Sequence, residues 1–196
     1  MMLRHRLGLA APFAALALAG CGVNAIPTAQ ENTKAKWADV QNQYQRRADL
    51  IPNLVATVKG YATHEQSTLE GVTKARAKAT QVTVSADDLT DPAKVKAFQD
   101  AQNSLSGALG KLLSVQEAYP QLQADQNFLA LQSQLEGTEN RIAVARSDYN
   151  AAVQAYNTQI RTFPDSITAK VVYGAKPITP FTATSPNAET APTVKF

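Results

Sequence analysis

Cysteine and histidine are scarce in this sequence of 196 residues, which has one cysteine and two histidines. A single cysteine cannot form an internal disulfide, and a metal cluster would need more ligands. His64 is the sole histidine beyond the first twenty residues. This scarcity excludes triads built from separated Cys and His residues, and it excludes HExxH zinc sites. We therefore expect no catalytic residues, no bound metal and no cofactor.

Net charge is small once the N-terminal residues are set aside. The formal net charge is +3, and Arg4 and Arg6 supply two of the positive charges. Residues 21–196 hold 17 basic and 16 acidic residues, which gives a net charge of +1. The sequence has no basic stripe of the kind that binds phosphate backbones, so it does not favour a nucleic-acid partner.

The apolar run near the N-terminus is short. Residues 1–6 contain Arg4 and Arg6, and residues 7–18 are apolar apart from the interruption at Pro12. This run is about half of the roughly 20 residues that a membrane-spanning helix needs. A basic start followed by a short apolar run is typical of a secretory signal. We therefore expect residues 1–20 to be a signal peptide that is removed on export.

The residues that follow, Leu18-Ala19-Gly20-Cys21, resemble a bacterial lipobox. Small residues let a peptidase approach the backbone, and the thiol of Cys21 can take a thioether-linked diacylglycerol. The expected mature chain is a lipoprotein on the periplasmic, extracytoplasmic side of a membrane, with residues 21–29 as its lipidated tether. Gly22 stands where Asp would favour retention at the inner membrane, so the outer membrane is favoured.

Three segments have apolar residues spaced three or four apart, which is the spacing of an amphipathic helix. The first covers about residues 30–80 and contains Pro52, which marks either a kink or the junction of two helices. The second covers about residues 92–118, and Asp91-Pro92 is a strong helix start. The third covers about residues 124–162.

The third segment has an aromatic or aliphatic side chain at every seventh position. These positions are Phe128, Leu135, Ile142, Tyr149, Tyr156 and Phe163. A seven-residue repeat of this length predicts left-handed packing against neighbouring helices. No strand pattern competes with it, so the expected fold is all-α: an antiparallel up-and-down bundle of three to four long helices over residues 30–165.

Residues 166–196 are expected to form a Pro-rich C-terminal tail, which is partly disordered over its last twelve residues. Four residues of this tail are apolar enough to dock on the bundle. They are Val171, Val172, Tyr173 and Phe181.

Several stretches of the chain together resemble the LemA family. They comprise residues 46–55, 59–61, 64–65, 75–76 and 117–122, and a set of positions from Phe128 to Pro164. The resemblance covers about residues 30–166 and implies an antiparallel helical bundle facing the extracytoplasmic side, with no established enzymatic activity. Family members usually have an N-terminal transmembrane helix, whereas a lipobox stands here. Membrane proximity is therefore what function is expected to require.

The leading functional hypothesis is a lipid-anchored envelope scaffold or adaptor without catalytic activity. It would present a helical face to another envelope protein or to the membrane, and an exposed seam would also allow a second copy to bind. The alternative is an envelope hydrolase or protease, or an accessory subunit of one, in which His64 acts as a base beside Glu65. The simpler interpretation of His64-Glu65 is an exposed helix surface. A third possibility, a small-ligand carrier, needs a cavity between the helices.

Charged residues near the middle of the first segment have two interpretations. Arg46, Arg47 and Asp49 either bind an anionic headgroup or peptide, or they are structural. In the structural interpretation, Arg47 and Glu65 lie at the apolar stripe and pair across the bundle, because charges at a helix seam are costly unless paired. The candidate partners on other helices are Glu117, Glu139 and Arg146, and Arg76 is a further structural or interaction candidate.

Two Tyr-Asn pairs recur seven residues apart, at Tyr149-Asn150 and Tyr156-Asn157. Either they form a ladder that binds a ligand, or the tyrosines lie in the core with the asparagines beside the seam. Pro52-Asn53 and Tyr119-Pro120 are expected to set bends in the chain, with a binding groove at these bends as the alternative.

Overall fold

The computed structural model describes residues 24–182. Cys21, the predicted signal peptide and residues 183–196 lie outside this range, and so does the expected disorder of the last twelve residues. The described residues form six α-helices and two short 3₁₀ turns, with no strand among them, so the predicted all-α fold is confirmed. The helices are α1 (Ala25–Tyr61), α2 (Gln66–Gln81), α3 (Pro92–Ser114), α4 (Pro120–Gln123), α5 (Gln126–Gln159) and α6 (Asp165–Val171).

The two longest helices, α1 and α5, lie antiparallel. Three contacts fix their register: Thr33 Oγ1 donates to the Ala152 carbonyl at 3.3 Å, Arg47 contacts Glu139 at 2.8 Å, and the Tyr61 hydroxyl donates to Asp125 at 2.8 Å. Steps of thirteen or fourteen residues separate these contacts along both helices, so the register is constant. At 1.5 Å per residue, α1 is about 55 Å long, and this pair sets the long axis of the bundle.

A hairpin of α2 and α3 packs beside this pair. Asp91 accepts hydrogen bonds from the amides of Ala93 and Lys94, and Pro92 occupies the first helical turn, so the predicted start of α3 is confirmed. The indole nitrogen of Trp37 donates to the Val84 carbonyl at 3.1 Å. This bond ties the connection between α2 and α3 to α1.

The hydrophobic core is divided into two clusters along the bundle axis. One cluster includes Trp37 and involves the first half of α1, the second half of α5 and the C-terminal segment. The other includes Leu54 and involves the second half of α1, α2 and the first half of α5. Three buried polar side chains, Arg47, Gln102 and Thr138, lie between the clusters on α1, α3 and α5. A polar layer therefore crosses the bundle near its middle.

Three helix boundaries differ from the predicted ones. The break in the first segment comes at residues 62–65, and α1 runs through Pro52 without interruption. α1 begins at Ala25, so most of the predicted tether is helical. α5 ends at Gln159, which leaves Phe163 exposed in the following turn rather than in the heptad seam.

The C-terminal segment packs on the bundle well beyond residue 166, where a tail was predicted to begin. Ala169, Ile178 and Phe181 are buried in the same cluster as Trp37. Phe181 docks on the bundle as expected, whereas Val171 and Val172 are exposed. Residues 165–182 are therefore part of the folded domain.

Candidate functional site

The polar layer is organised around Arg47, whose side chain is 1% exposed. Its Nη1 donates to Ser106 Oγ at 2.7 Å and to Glu139 Oε1 at 2.8 Å. Its Nη2 donates to the side chain of Gln102 at 2.6 Å and to the Gln102 carbonyl at 3.2 Å. The guanidinium group of Arg47 thus connects α1 to α3 and α5.

Most of the polar atoms in this layer have a hydrogen-bond partner, and one of them has none. Gln102 Nε2 donates onward to the Ala79 carbonyl on α2 at 3.1 Å, which extends the network to a fourth helix. The guanidinium also lies 5.0 Å from the centre of the Tyr44 ring. Arg47 Nε has no hydrogen-bond partner. Glu139 is 46% exposed, so its charge stays hydrated while Arg47 is enclosed. The geometry is that of a layer that fixes helix register, since a shift of one helix would leave the guanidinium unpaired.

Arg76 has a role that its sequence position did not predict. Pro52 lacks a backbone N–H and therefore cannot donate to the carbonyl of Ala48, four residues earlier in α1. Arg76 Nε, on α2, donates to this carbonyl at 2.7 Å. Ala48 is buried, so this contact satisfies an acceptor that solvent does not reach freely. The arginine explains how α1 continues through Pro52.

Replacing Arg76 by alanine is expected to lower the free energy of unfolding by about 1–2 kcal/mol, since a buried carbonyl loses its donor. In a Pro52→Ala background the new amide can donate to Ala48, so the same replacement should cost less. Urea denaturation of the four proteins in this double-mutant cycle measures the coupling. Equal costs of Arg76→Ala in both backgrounds would show that the arginine does not compensate for Pro52.

The asparagines of the two Tyr-Asn pairs bind the C-terminal segment through its backbone. Asn157 donates to the Ile178 carbonyl at 2.8 Å and accepts from the Ile178 amide at 2.9 Å. Asn150 does the same with Phe181, at 3.0 and 2.8 Å. Seven helical residues span about 10.5 Å, and three extended residues span about 10 Å. The two spacings match, so both asparagines reach the same extended segment of the chain.

The tyrosines of these pairs complete the ladder. The hydroxyl of Tyr149 donates to the Thr179 carbonyl at 2.9 Å, and that of Tyr156 donates to the Lys176 carbonyl at 3.2 Å. Burial raises the pKa of both phenols, so they remain protonated donors at physiological pH. The tyrosine rings lie in the core, as the second interpretation has it, and the four polar groups bind an extended segment of the chain itself.

The far end of the ladder is closed by an aromatic cluster around Phe181. Its ring stacks on Trp37 at 5.7 Å and contacts Tyr149 edge-on at 5.4 Å. The guanidinium of Arg146 lies 4.8 Å from the centre of the Phe181 ring and donates to the Thr182 carbonyl at 3.1 Å. Arg146, which the sequence offered as a partner across the bundle for a seam charge such as Glu65, therefore binds the C-terminal segment instead.

The remaining charged candidates, His64, Glu65 and Glu117, lie in or beside turns of the chain. His64 is exposed in the turn between α1 and α2, and no hydrogen bond to its side chain is formed within residues 24–182. Glu65 accepts from the Tyr119 hydroxyl at 3.3 Å, and Glu117 is exposed in a 3₁₀ turn. The described residues also contain no group of three or more metal-binding side chains. This geometry gives the hydrolase alternative no supporting observation.

The other candidates from the sequence lie on exposed surfaces. Arg46 is exposed on α1, and the Asp49 carboxylate accepts from Gln45 at 2.7 Å. Pro52 and Asn53 face solvent within a continuous helix, and Pro120 begins α4. Pro52-Asn53 therefore sets no turn, whereas Tyr119-Pro120 does separate two helical turns.

The interior offers little room for a small ligand. A cavity of about 110 Å³ lies beside Tyr44 and Gln102, well below the roughly 300–1,000 Å³ of typical ligand pockets. A wider groove of about 570 Å³, between Leu109 and Leu135, lies on the bundle surface. Within residues 24–182, no helix is both long and apolar enough to cross a membrane.

Comparison with known proteins identifies relatives along most of the chain. The sequence pattern of the LemA family matches residues 36–196. The chain is 29% identical over 157 residues to Magnetosome protein MamQ 2 of Paramagnetospirillum magneticum, an alignment that covers 72% of this chain and 58% of that protein. It is 28% identical over 124 residues to Protein LemA of Metamycoplasma hominis, covering 63% of this chain and 52% of that protein. The chain thus spans between half and three fifths of the length of these relatives.

Proposed function

The chain belongs to the LemA family, and on this premise we propose that it is a lipid-anchored scaffold or adaptor of the bacterial cell envelope, without catalytic activity. In this proposal Cys21 carries the lipid and the bundle stands on the extracytoplasmic side of the membrane. The observation that carries the proposal is the position of α1, which begins at Ala25, four residues after Cys21. A lipid on Cys21 would tie a rigid helical rod almost directly to the bilayer.

The shape and chemistry of the bundle support a binding role. Its long helices present extended faces, and the cavity beside Tyr44 is too small for most ligands. The exposed side chain of His64 makes no hydrogen bond to Glu65 or to any other group within residues 24–182. Names of the relatives, Magnetosome protein MamQ and Protein LemA, specify no reaction. The partner in this proposal is another protein of the envelope or the membrane surface.

Replacing Cys21 by alanine is expected to release the protein from the membrane fraction. Acyl chains contribute about 0.8 kcal/mol for each CH₂ group buried in the bilayer, so two or three chains make the anchorage firm. Mass spectrometry of the mature wild-type N-terminus should show a diacylglyceryl group on Cys21 as the first residue. The matched control is Gly22→Ala, which keeps the thiol and should stay in the membrane fraction.

An unmodified Cys21 in the wild-type protein would contradict the anchor. Crosslinking in intact cells addresses the adaptor role separately. Wild-type protein should give a defined crosslinked species that the Cys21→Ala variant loses, because the variant is no longer held near its partner. Recovery of monomer alone from the anchored wild-type protein would contradict an adaptor that binds another protein.

A further inference from the structure

Exposed apolar side chains are concentrated around the last helix. Of the eight large apolar side chains that are exposed within residues 24–182, five lie between Phe163 and Tyr173. We name four of them the α6 patch: Phe163, Ile167, Val171 and Val172, which are 81%, 57%, 79% and 63% exposed. Large exposed apolar side chains grouped in one short stretch of a soluble protein indicate an interaction site.

The geometry of α6 separates this patch from the core. Ala169 is buried against the bundle. Ile167 and Val171 are each two residues from Ala169, which places them about 200° away around a helix. Their own separation of four residues places them on one face. The face of α6 opposite the bundle is therefore apolar, whereas the outer face of a helix packed on a soluble protein is ordinarily polar.

The α6 patch lies at the end of the bundle where α1 begins. Thr33 on α1 contacts Ala152 on α5, and the helices run antiparallel. Ala25 lies eight residues before Thr33, and Ile160 lies eight residues after Ala152. At 1.5 Å per residue, each is therefore about 12 Å from the Thr33–Ala152 contact, in the same direction along the bundle. Ile26, Ile160 and Ala169 accordingly belong to one core cluster. The patch and the start of α1 share one end of the molecule.

Basic side chains flank the α6 patch. Arg161, Lys170 and Lys176 are exposed, and none forms a salt bridge within residues 24–182. Asp165 is the sole acidic residue between positions 160 and 176, and its carboxylate accepts a hydrogen bond from Gln159 at 3.1 Å. This stretch therefore has a net charge of +2. Apolar side chains framed by basic residues are the combination that binds the headgroup region of an anionic bilayer.

We propose that the α6 patch docks on the anionic phospholipid surface of the membrane that holds Cys21. The inference rests on the lipid anchor of the proposed function. Three residues lie between Cys21 and Ala25, and the four residue steps span at most about 14 Å. This end of the bundle therefore cannot move far from the bilayer, and the tether gives the patch a high effective concentration at the lipid surface. Docking at two points would set the tilt of the rod, which a single point of attachment leaves free.

A second copy of the chain is a poorer occupant of this patch. A stable protein interface involves roughly 20–30 residues on each side, whereas the α6 patch has four apolar residues and a surplus of positive charge. Two such patches facing each other would bring together like charges, which is unfavourable. The lipid surface needs no matching shape and offers the opposite charge.

The test uses the full-length, lipidated protein reconstituted into vesicles. An environment-sensitive fluorophore is attached at Val171→Cys, and the matched control carries it at Val144→Cys. Val144 is a 62% exposed valine on α5, about 24 Å from Ile160 along the helix. With vesicles of phosphatidylethanolamine and phosphatidylglycerol, brominated lipids should quench the label at position 171 and leave the label at position 144 unchanged. Quenching at position 171 should be weaker in phosphatidylcholine vesicles.

The outcomes separate docking from anchorage. Vesicle co-sedimentation and the mass of the N-terminal peptide report whether the lipid is present. An anchored protein whose label at position 171 is quenched no more than that at position 144 would overturn docking and leave the anchor intact. A protein without lipid on Cys21 that does not sediment with vesicles would overturn both proposals. Disulfide-linked dimers formed by the unlabelled Val171→Cys variant, together with no quenching by lipid in the labelled one, would assign the patch to a second copy and overturn the docking proposal.

Discussion

Replacing Arg47 by alanine is expected to lower the free energy of unfolding by about 2–4 kcal/mol, because a buried acceptor loses its donor and a large buried side chain is removed. The guanidinium makes four hydrogen bonds to Ser106, Glu139 and Gln102. Its removal leaves Gln102 Oε1 without the donor that it has in the wild-type protein, and it opens a cavity between the two core clusters. Urea denaturation, followed by circular dichroism of the helices, measures the loss.

The controls separate the buried contact from charge in general. Arg46 is its exposed neighbour, and Arg46→Ala should change stability by less than about 0.5 kcal/mol. Glu139→Ala should cost less than Arg47→Ala, because Glu139 is half exposed while the other partners of Arg47 remain. A double-mutant cycle of Arg47 and Glu139 should show a coupling of about 0.5–3 kcal/mol. Simple additivity would show that the pair contributes nothing to register.

The helices and their buried faces could be predicted because they depend on local periodicity. The heptad positions from Phe128 to Tyr156 are buried in α5, and Asp91-Pro92 starts α3 because its capping chemistry is local. The turn at residues 62–65 was missed for the same reason. Val58, Ala62 and Leu69 are all buried, and their spacing of four and seven continues the helical phase across the turn.

The contacts that cross the bundle could be predicted only as alternatives. The sequence indicates that Arg47 is a charge at the helix seam, but the choice between Glu117 and Glu139 as its partner depends on how the helices align with one another. The link between Arg76 and the Ala48 carbonyl has no sequence signal apart from Pro52, which shows that a carbonyl needs a donor without showing where the donor lies.

The C-terminal segment was predicted least well, because its structure depends on the surface it binds. Its prolines suggested a tail. Pro177 and Pro180 in fact face solvent, while Ala175, Ile178 and Phe181 face the bundle. This period of three was visible in the sequence and is typical of an extended chain. The Tyr-Asn repeat was recognised as a possible ladder, but the bound peptide lies 20–31 residues further along the chain.

Replacing Phe181 by alanine is expected to lower the free energy of unfolding by about 3–4 kcal/mol, close to the usual cost of removing a buried phenylalanine. The reason is that its ring fills the space between Trp37, Tyr149 and Arg146. Val171→Ala, in the same segment but at an exposed position, is the control and should cost less than about 0.5 kcal/mol in the absence of a membrane. Thermal or urea unfolding measures both.

Hydrogen exchange then tests whether the asparagines hold the segment independently of the ring. Asn150→Ala removes the acceptor of the Phe181 amide, and Asn157→Ala removes that of the Ile178 amide. Each change should speed exchange at its own amide, and each should cost about 1–2 kcal/mol, since two hydrogen bonds are lost. Asn140→Ala, at an exposed position of the same helix, should leave both amides protected.

If Phe181→Ala costs less than about 1 kcal/mol and neither asparagine protects its amide, residues 175–182 are not an integral part of the core. A large loss with both amides protected in the wild-type protein means that the bundle requires this segment to complete its hydrophobic cluster.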